Sequence, residues 1–262
     1  MKHWTYILFL SLYSCNSQQQ KNNSLNTGSN TPSALTVSQN NSGKEICWEG
    51  TLNGKTPIFI HYQLDSTLII GEITYLNTKD KLPITLLGTI EEDRTYRLLE
   101  FDKNGNITGI IESKPTDKEF AGLWVSPTSD KEFSLKLILK DTLITSPNIK
   151  PNNSQLFGSY HYQYGEKGYS GDFDINKIGT NTIDFAIESL TNVERGPNIA
   201  EVDKDTITMT GDSFTYRIPK SDSCEFKVKF YKGFVYINYT KGYCESQFGN
   251  GATIDGIYLK TK

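Results

Sequence analysis

Few side chains in this 262-residue chain are spaced for bond-making chemistry. A serine or cysteine nucleophile needs a base beside it, and beyond the first few residues the only histidines are His61 and His161. Both stand in alternating apolar runs, Ile58-Phe59-Ile60-His61-Tyr62 and Tyr160-His161-Tyr162, where a strand's period of two puts them opposite the core. Asp172 and Asp174 share one strand face, the least that paired general acid and base work requires. A solvated acidic face is the commoner meaning of that spacing. Gly211-Asp212-Ser213-Phe214-Thr215 departs from the nucleophile elbow because Thr215 replaces its final glycine. Gly249-Asn250-Gly251-Ala252-Thr253-Ile254 departs from the dinucleotide fingerprint at Ile254 and runs into a strand. Asp102-Lys103-Asn104-Gly105-Asn106 has the donors of a calcium loop, but its glycine comes early and no glutamate closes the loop, so it reads as a hairpin turn. No Cys-x2-Cys or His-x3-His spacing offers zinc a site. The expectation is a binding protein, with no catalysis, metal or cofactor.

The elements that carry these residues are short strands. Between residues 45 and 146 eight alternating or apolar runs are expected, at 45–52, 57–64, 68–76, 84–90, 96–101, 107–112, 120–125 and 133–139. In the last, Phe133, Leu135, Leu137 and Leu139 share one face while Ser134 and Lys136 take the other. Leu52-Asn53-Gly54-Lys55 and Asn104-Gly105 supply tight turns, so neighbours should be antiparallel. Gly50, Gly71, Gly88, Gly109 and Gly122 recur in or beside the strands, where glycine permits the coiling of a sheet that closes on itself. In this the segment resembles the up-and-down meander barrels of the avidin and lipocalin type.

Residues 147–154 lack periodicity and are rich in proline and asparagine, which suits an interdomain linker. Nine further strands are expected in residues 155–262, at 158–164, 171–178, 182–189, 199–203, 206–210, 214–218, 224–230, 234–239 and 253–259. Phe226, Val228 and Phe230 alternate there with outward Lys227 and Lys229. The fold class expected is therefore all-β, with two antiparallel barrel-like domains. His-Tyr-Gln occurs at 61–63 and again at 161–163, which leaves duplication open.

At the amino terminus, Lys2, the apolar stretch Ile7-Leu8-Phe9-Leu10 with Leu12, and small Ser14 make residues 1–14 a secretory signal, too short to be an anchor helix. Leu12-Tyr13-Ser14-Cys15 resembles the bacterial lipobox. The resemblance implies cleavage before Cys15 and diacylation of that cysteine, and several acyl chains hold a protein to a bilayer far more firmly than one. The partner implied is a membrane, and the address is the bacterial cell envelope. Of the 29 residues at 16–44, 20 are Asn, Ser, Gln or Thr. Such a segment buries too little apolar surface to offset its conformational entropy, so 15–44 is expected to be a lipidated, disordered tether. Flexible-coil scaling gives it a reach of roughly 30 Å.

Export also permits disulfides. Cys224 and Cys244 stand at the two ends of an expected hairpin turning at Tyr231-Lys232-Gly233, which brings them together as a pair and leaves Cys47 as the odd, buried thiol. Lys and Arg number 27 against 30 Asp and Glu, a net charge of −3, so no basic stretch stands ready to neutralise a run of phosphates, and nucleic acid is not an expected partner.

Tyr236-Ile237-Asn238-Tyr239-Thr240-Lys241-Gly242 resembles the Tyr-x3-Thr-Lys-Gly signature of the membrane-bound inhibitors of c-type lysozyme, small β-barrel lipoproteins of the bacterial envelope. The resemblance implies that Tyr236, Thr240, Lys241 and Gly242 form an inhibitory loop whose lysine enters the cleft of a lysozyme-like hydrolase, where two carboxylates work. That family's companion signature, Ser-Gly-x2-Tyr, has only Ser170-Gly171 and Thr210-Gly211 as counterparts here, at different spacing. Three functions follow: a hydrolase inhibitor, a barrel that binds a glycan or another small ligand, and an envelope-assembly component. An inhibitor should present a protruding charged loop, and a glycan reader a concavity lined with exposed aromatics.

Overall fold

A computed structural model describes residues 43–152, 155–191, 196–221, 223–242, 244 and 247–262. The signal, Cys15 and nearly all of the tether fall outside these residues. The described chain is all-β. Its first eight strands are β1 (Ile46–Leu52), β2 (Thr56–Asp65), β3 (Leu68–Tyr75), β4 (Ile84–Ile90), β5 (Tyr96–Phe101), β6 (Asn106–Ser113), β7 (Glu119–Val125) and β8 (Glu132–Lys140). Each pairs antiparallel with the next, and β8 returns to β1, with Gly50 opposite Leu137, so the meander closes into a barrel. Alternation fills its interior: Trp48, Ile58, Ile60, Tyr62, Phe120 and Leu137 are among its buried core. Eight strands leave room for side chains rather than a channel. One carboxyl joins them, Glu100, which accepts hydrogen bonds from Tyr75 Oη and Trp124 Nε1, both at 2.8 Å. A Cβ at Gly109 would overlap the Trp124 indole, so glycine is what admits this pair.

The second series comprises β9 (Gly158–Tyr164), β10 (Ser170–Lys177), β11 (Thr182–Leu190), β12 (Ile199–Thr208), β13 (Ser213–Arg217), β14 (Glu225–Tyr231), β15 (Phe234–Lys241) and β16 (Gly256–Lys260). It repeats the meander, and its first and last strands, β9 and β16, pair as β1 and β8 do. Among the described residues β12 and β13 share only the bridge Thr210 to Ser213 at their turn, so this barrel is split there. Side chains span the split, with Phe185 and Phe214 rings 4.9 Å apart and Tyr216 donating its hydroxyl to Asp205 at 2.5 Å.

One sequence expectation needs correction. Residues 199–203 and 206–210 are one strand, because a bulge opposite, between Phe185 and Ile187, absorbs the polar Asp203-Lys204-Asp205 step without ending the ladder. The two His-Tyr-Gln copies lie on β2 and β9, the second strand of one meander and the first of the other, so they are not equivalent positions.

The two series are joined through their sheets and through apolar packing. Asn106 and Ile107 of β6 run parallel to Gln163 and Tyr164 of β9. Leu98 faces the first barrel's interior, so by alternation Leu99 and Phe101 face outward, yet both are buried among residues of the second series. A bulge at the β5–β6 pairing sets Ile107 opposite Phe101 and aims it the same way. The segment after β8 is held from both sides: Pro147 O accepts from Gln63 Nε2 at 3.1 Å, and Ile149 O accepts from Lys232 N at 2.9 Å. All described residues belong to one compact unit.

Candidate functional site

The histidines sit on outward faces, as alternation requires. His61 Nδ1 lies against the buried Glu45 carboxylate, and its Nε2 is 3.5 Å from Glu72. Cys47 is the cross-strand neighbour of His61, but its thiol points to the carbonyl of Thr142 at 3.5 Å. Burial, reinforced by Glu45, pushes that thiol up, the reverse of what an attacking thiolate needs. On the second barrel His161 Nδ1 lies 2.8 Å from Asp172, and Ser159 Oγ donates to Asp174 at 2.5 Å. The serine is thus tied to a carboxylate and not to the imidazole, and the four groups lie on an outer strand face. The Asp102 carboxylate is likewise used by its own turn, accepting from the N–H groups of Asn104 and Asn106. Among the described residues no three His, Cys, Asp or Glu side chains converge tightly enough to hold a metal ion.

Cys224 and Cys244 form a disulfide, and Cys47 is free and buried. The bridge closes the far end of the β14–β15 hairpin, where Thr240 Oγ1 donates to Glu225 Oε1 at 2.9 Å and Lys241 Nζ lies 3.3 Å from Glu225 Oε2. Lys241 is thus the last residue of β15, with an acidic partner from β14, and it does not stand on a projecting loop. Tyr236 is five residues away along the same strand, about 17 Å at the strand rise, and faces a different feature.

That feature is a cleft of about 780 Å³ between the two barrels. Its first wall is the end of the β4–β5 hairpin, with Gly88, Thr89, Glu91, Glu92 and Arg97. A Cβ at Gly88 would overlap the Arg97 carbonyl of the next strand, so the hairpin can coil this tightly only with glycine there. The opposite wall is Tyr162 and Tyr164 on β9, Tyr169 beyond it, Tyr236 on β15, and Thr253, Asp255, Gly256 and Ile257 leading into β16. The β7–β8 turn forms a lip with Pro127 and Asp130. Tyr169 is 44% exposed, so an aromatic ring is open to an incoming ligand. Asp255 is exposed and accepts a hydrogen bond from Thr253. Burial raises the Tyr236 hydroxyl, and the charges of Asp255 and Glu91, which line the same cleft from opposite walls, raise it further. The Arg97 guanidinium lies 3.4 Å from the Glu112 carboxylate, and its charge opposes the upward shift that burial gives the Tyr164 hydroxyl.

Of the four candidate inhibitory-loop residues only Tyr236 lines this cleft; Thr253 of the Gly249–Ile254 run and the strand glycine Gly88 line it as well. Glu91, Arg97, Tyr164, Tyr169 and Asp255 went unmarked, since they come from separate turns and strands with no common spacing. The tyrosines at 160, 162, 164 and 169 were the one local signal. Comparison of the chain with protein-family models, curated proteins and solved structures finds no match.

Proposed function

We propose that this chain is a lipid-anchored binding protein of the bacterial envelope, held by acylated Cys15, which binds a glycan or similar polar small ligand in the cleft between its barrels. The observation that carries the reading is the concavity itself: about 780 Å³, walled by tyrosines including the exposed Tyr169, with carboxylates and one guanidinium at the rim. Ligand sites are concave, mostly apolar and supplied with a few convergent polar groups, and aromatic faces pack well on sugar rings while hydroxyls and carboxylates take the sugar's hydrogen bonds. His61 lies against Glu45 and His161 against Asp172, so among the described residues neither imidazole is shown beside a serine or thiol it could activate. Lysozyme inhibition draws less support, because Lys241 is engaged by Glu225 and lies on a strand.

The test is calorimetric titration of residues 43–262 with oligosaccharides released from bacterial envelopes. Tyr169→Ala removes an exposed ring without opening the core and should weaken binding about tenfold, the equivalent of about 1.4 kcal/mol. Binding that is indifferent to Tyr169 and to Tyr236→Phe would place the ligand elsewhere and overturn the proposal.

A further inference from the structure

We infer that the ligand of this cleft carries a positive charge, and specifically that it presents a protonated amine to Asp255 and Glu91; the inference rests on the cleft's being the binding site. Four of the lining side chains are carboxylates, Glu91, Glu92, Asp130 and Asp255, and the one basic lining side chain is Arg97. Arg97 is already paired, its guanidinium 3.4 Å from the Glu112 carboxylate. Glu91 accepts from the Thr89 hydroxyl at 2.7 Å and Asp255 from Thr253, both neutral donors. The described lining thus sets four carboxylates against one guanidinium, with Glu91 and Asp255 on facing walls.

Neutral and anionic ligands would have to bring their own compensation into that field, whereas a cation supplies it. The tyrosines point the same way, because an aromatic face attracts a cation within about 6 Å of its centre, and Tyr164, Tyr169 and Tyr236 all contribute to the lining. A bare metal ion is a poor fit. No three acidic or metal-ligating side chains among the described residues lie close enough to share one, so the cation must be spread over an organic ligand that touches both walls. An amino sugar oligomer meets each requirement, with rings for the tyrosines and ammonium groups for Asp255 and Glu91.

The experiment titrates residues 43–262, one compact unit, with three trimers of matched size in mildly acidic buffer: glucosamine, N-acetylglucosamine and galacturonate. Under these conditions the sugar amine is protonated. The glucosamine trimer should bind about tenfold more tightly than its acetylated counterpart and weaken as salt rises, with the galacturonate trimer weakest. Asp255→Asn should close most of the gap between the first two, and Glu91→Gln on the opposite wall should do the same independently. If the neutral or acidic trimer binds as tightly as the amine, with the two substitutions making no difference, the charge inference fails while the cleft remains the binding site. If none of the trimers, and no spermidine used as a sugar-free amine, produces heat or shifts cleft resonances, the binding reading fails and takes the inference with it.

Discussion

Lys229 of β14 reaches across the junction to Asp65 at the end of β2, Nζ 2.6 Å from Oδ2, and the Tyr231 hydroxyl donates to the same oxygen at 2.7 Å. Alternation put Lys229 on the outward face of its strand, and so it is, but outward here means toward the first barrel. Burial disfavours the charged form of Asp65, while the hydrogen bonds from Lys229 and Tyr231 and the lysine's charge outweigh it and hold the carboxyl below its ordinary value.

Asp65→Asn should therefore lower stability by about 1–2 kcal/mol, less in high salt, since the pair is about one-third exposed. The sign with pH follows from the lowered folded pKa. Stabilisation from Asp65 is complete above its unfolded value near 4 and is lost as pH falls through the lower folded value. Denaturant titrations of wild type and Asp65→Asn at neutral pH and near pH 3 should show the difference shrink in acid; a difference that grows in acid would contradict the assignment.

Phe101 tests whether the barrels depend on each other. It is 2% exposed although it faces out of the first barrel, so Phe101→Ala opens a cavity at the junction and should cost about 3–5 kcal/mol. Hydrogen exchange should report the loss in strands of both series. Loss confined to β4–β6 would show that the second series holds its fold without the first.

Glu100 titrates with the opposite sign. Burial inside the first barrel raises its pKa against the hydrogen bonds from Tyr75 and Trp124. A raised folded value means that its contribution is most favourable below the unfolded pKa and declines as pH rises through the folded one. Glu100→Gln keeps an acceptor for the indole and removes the charge, so it should flatten the fall in stability as pH rises above the unfolded value of a glutamate. An unchanged slope would remove Glu100 as its source.

Reduction of the Cys224–Cys244 bridge, which spans 20 residues, should lower stability by about 2–4 kcal/mol through the freedom returned to the unfolded chain. Comparison of Cys244→Ser with reduced wild type checks this, and equal stability before and after reduction would contradict it.

Most of the strands were legible because one buried face writes a period of two into the sequence, as Phe133 to Leu139 does. The junction was not. Leu86-Leu87 and Leu98-Leu99 read only as apolar runs, and a strand covered on both faces loses the alternation that would say which side each residue takes. Lys241 stood out because its neighbours resemble a known signature, while Asp255 and Glu91 acquire meaning only once two barrels bring them to one cleft. The split of the second barrel was also hidden, since Phe214 and Tyr216 read as an ordinary paired strand.

The central claim is that the inter-barrel cleft is where this protein meets its ligand. Chemical-shift mapping of isotope-labelled 43–262 tests it most directly, with envelope oligosaccharides in one titration and c-type lysozyme in another. Perturbations centred on Thr89, Arg97, Tyr169, Tyr236 and Asp255 on adding the oligosaccharides, with the Glu225 to Lys241 end of the β14–β15 hairpin quiet in both titrations, are the predicted result. Perturbations centred on Lys241 with lysozyme, and a silent cleft with every oligosaccharide, would contradict it.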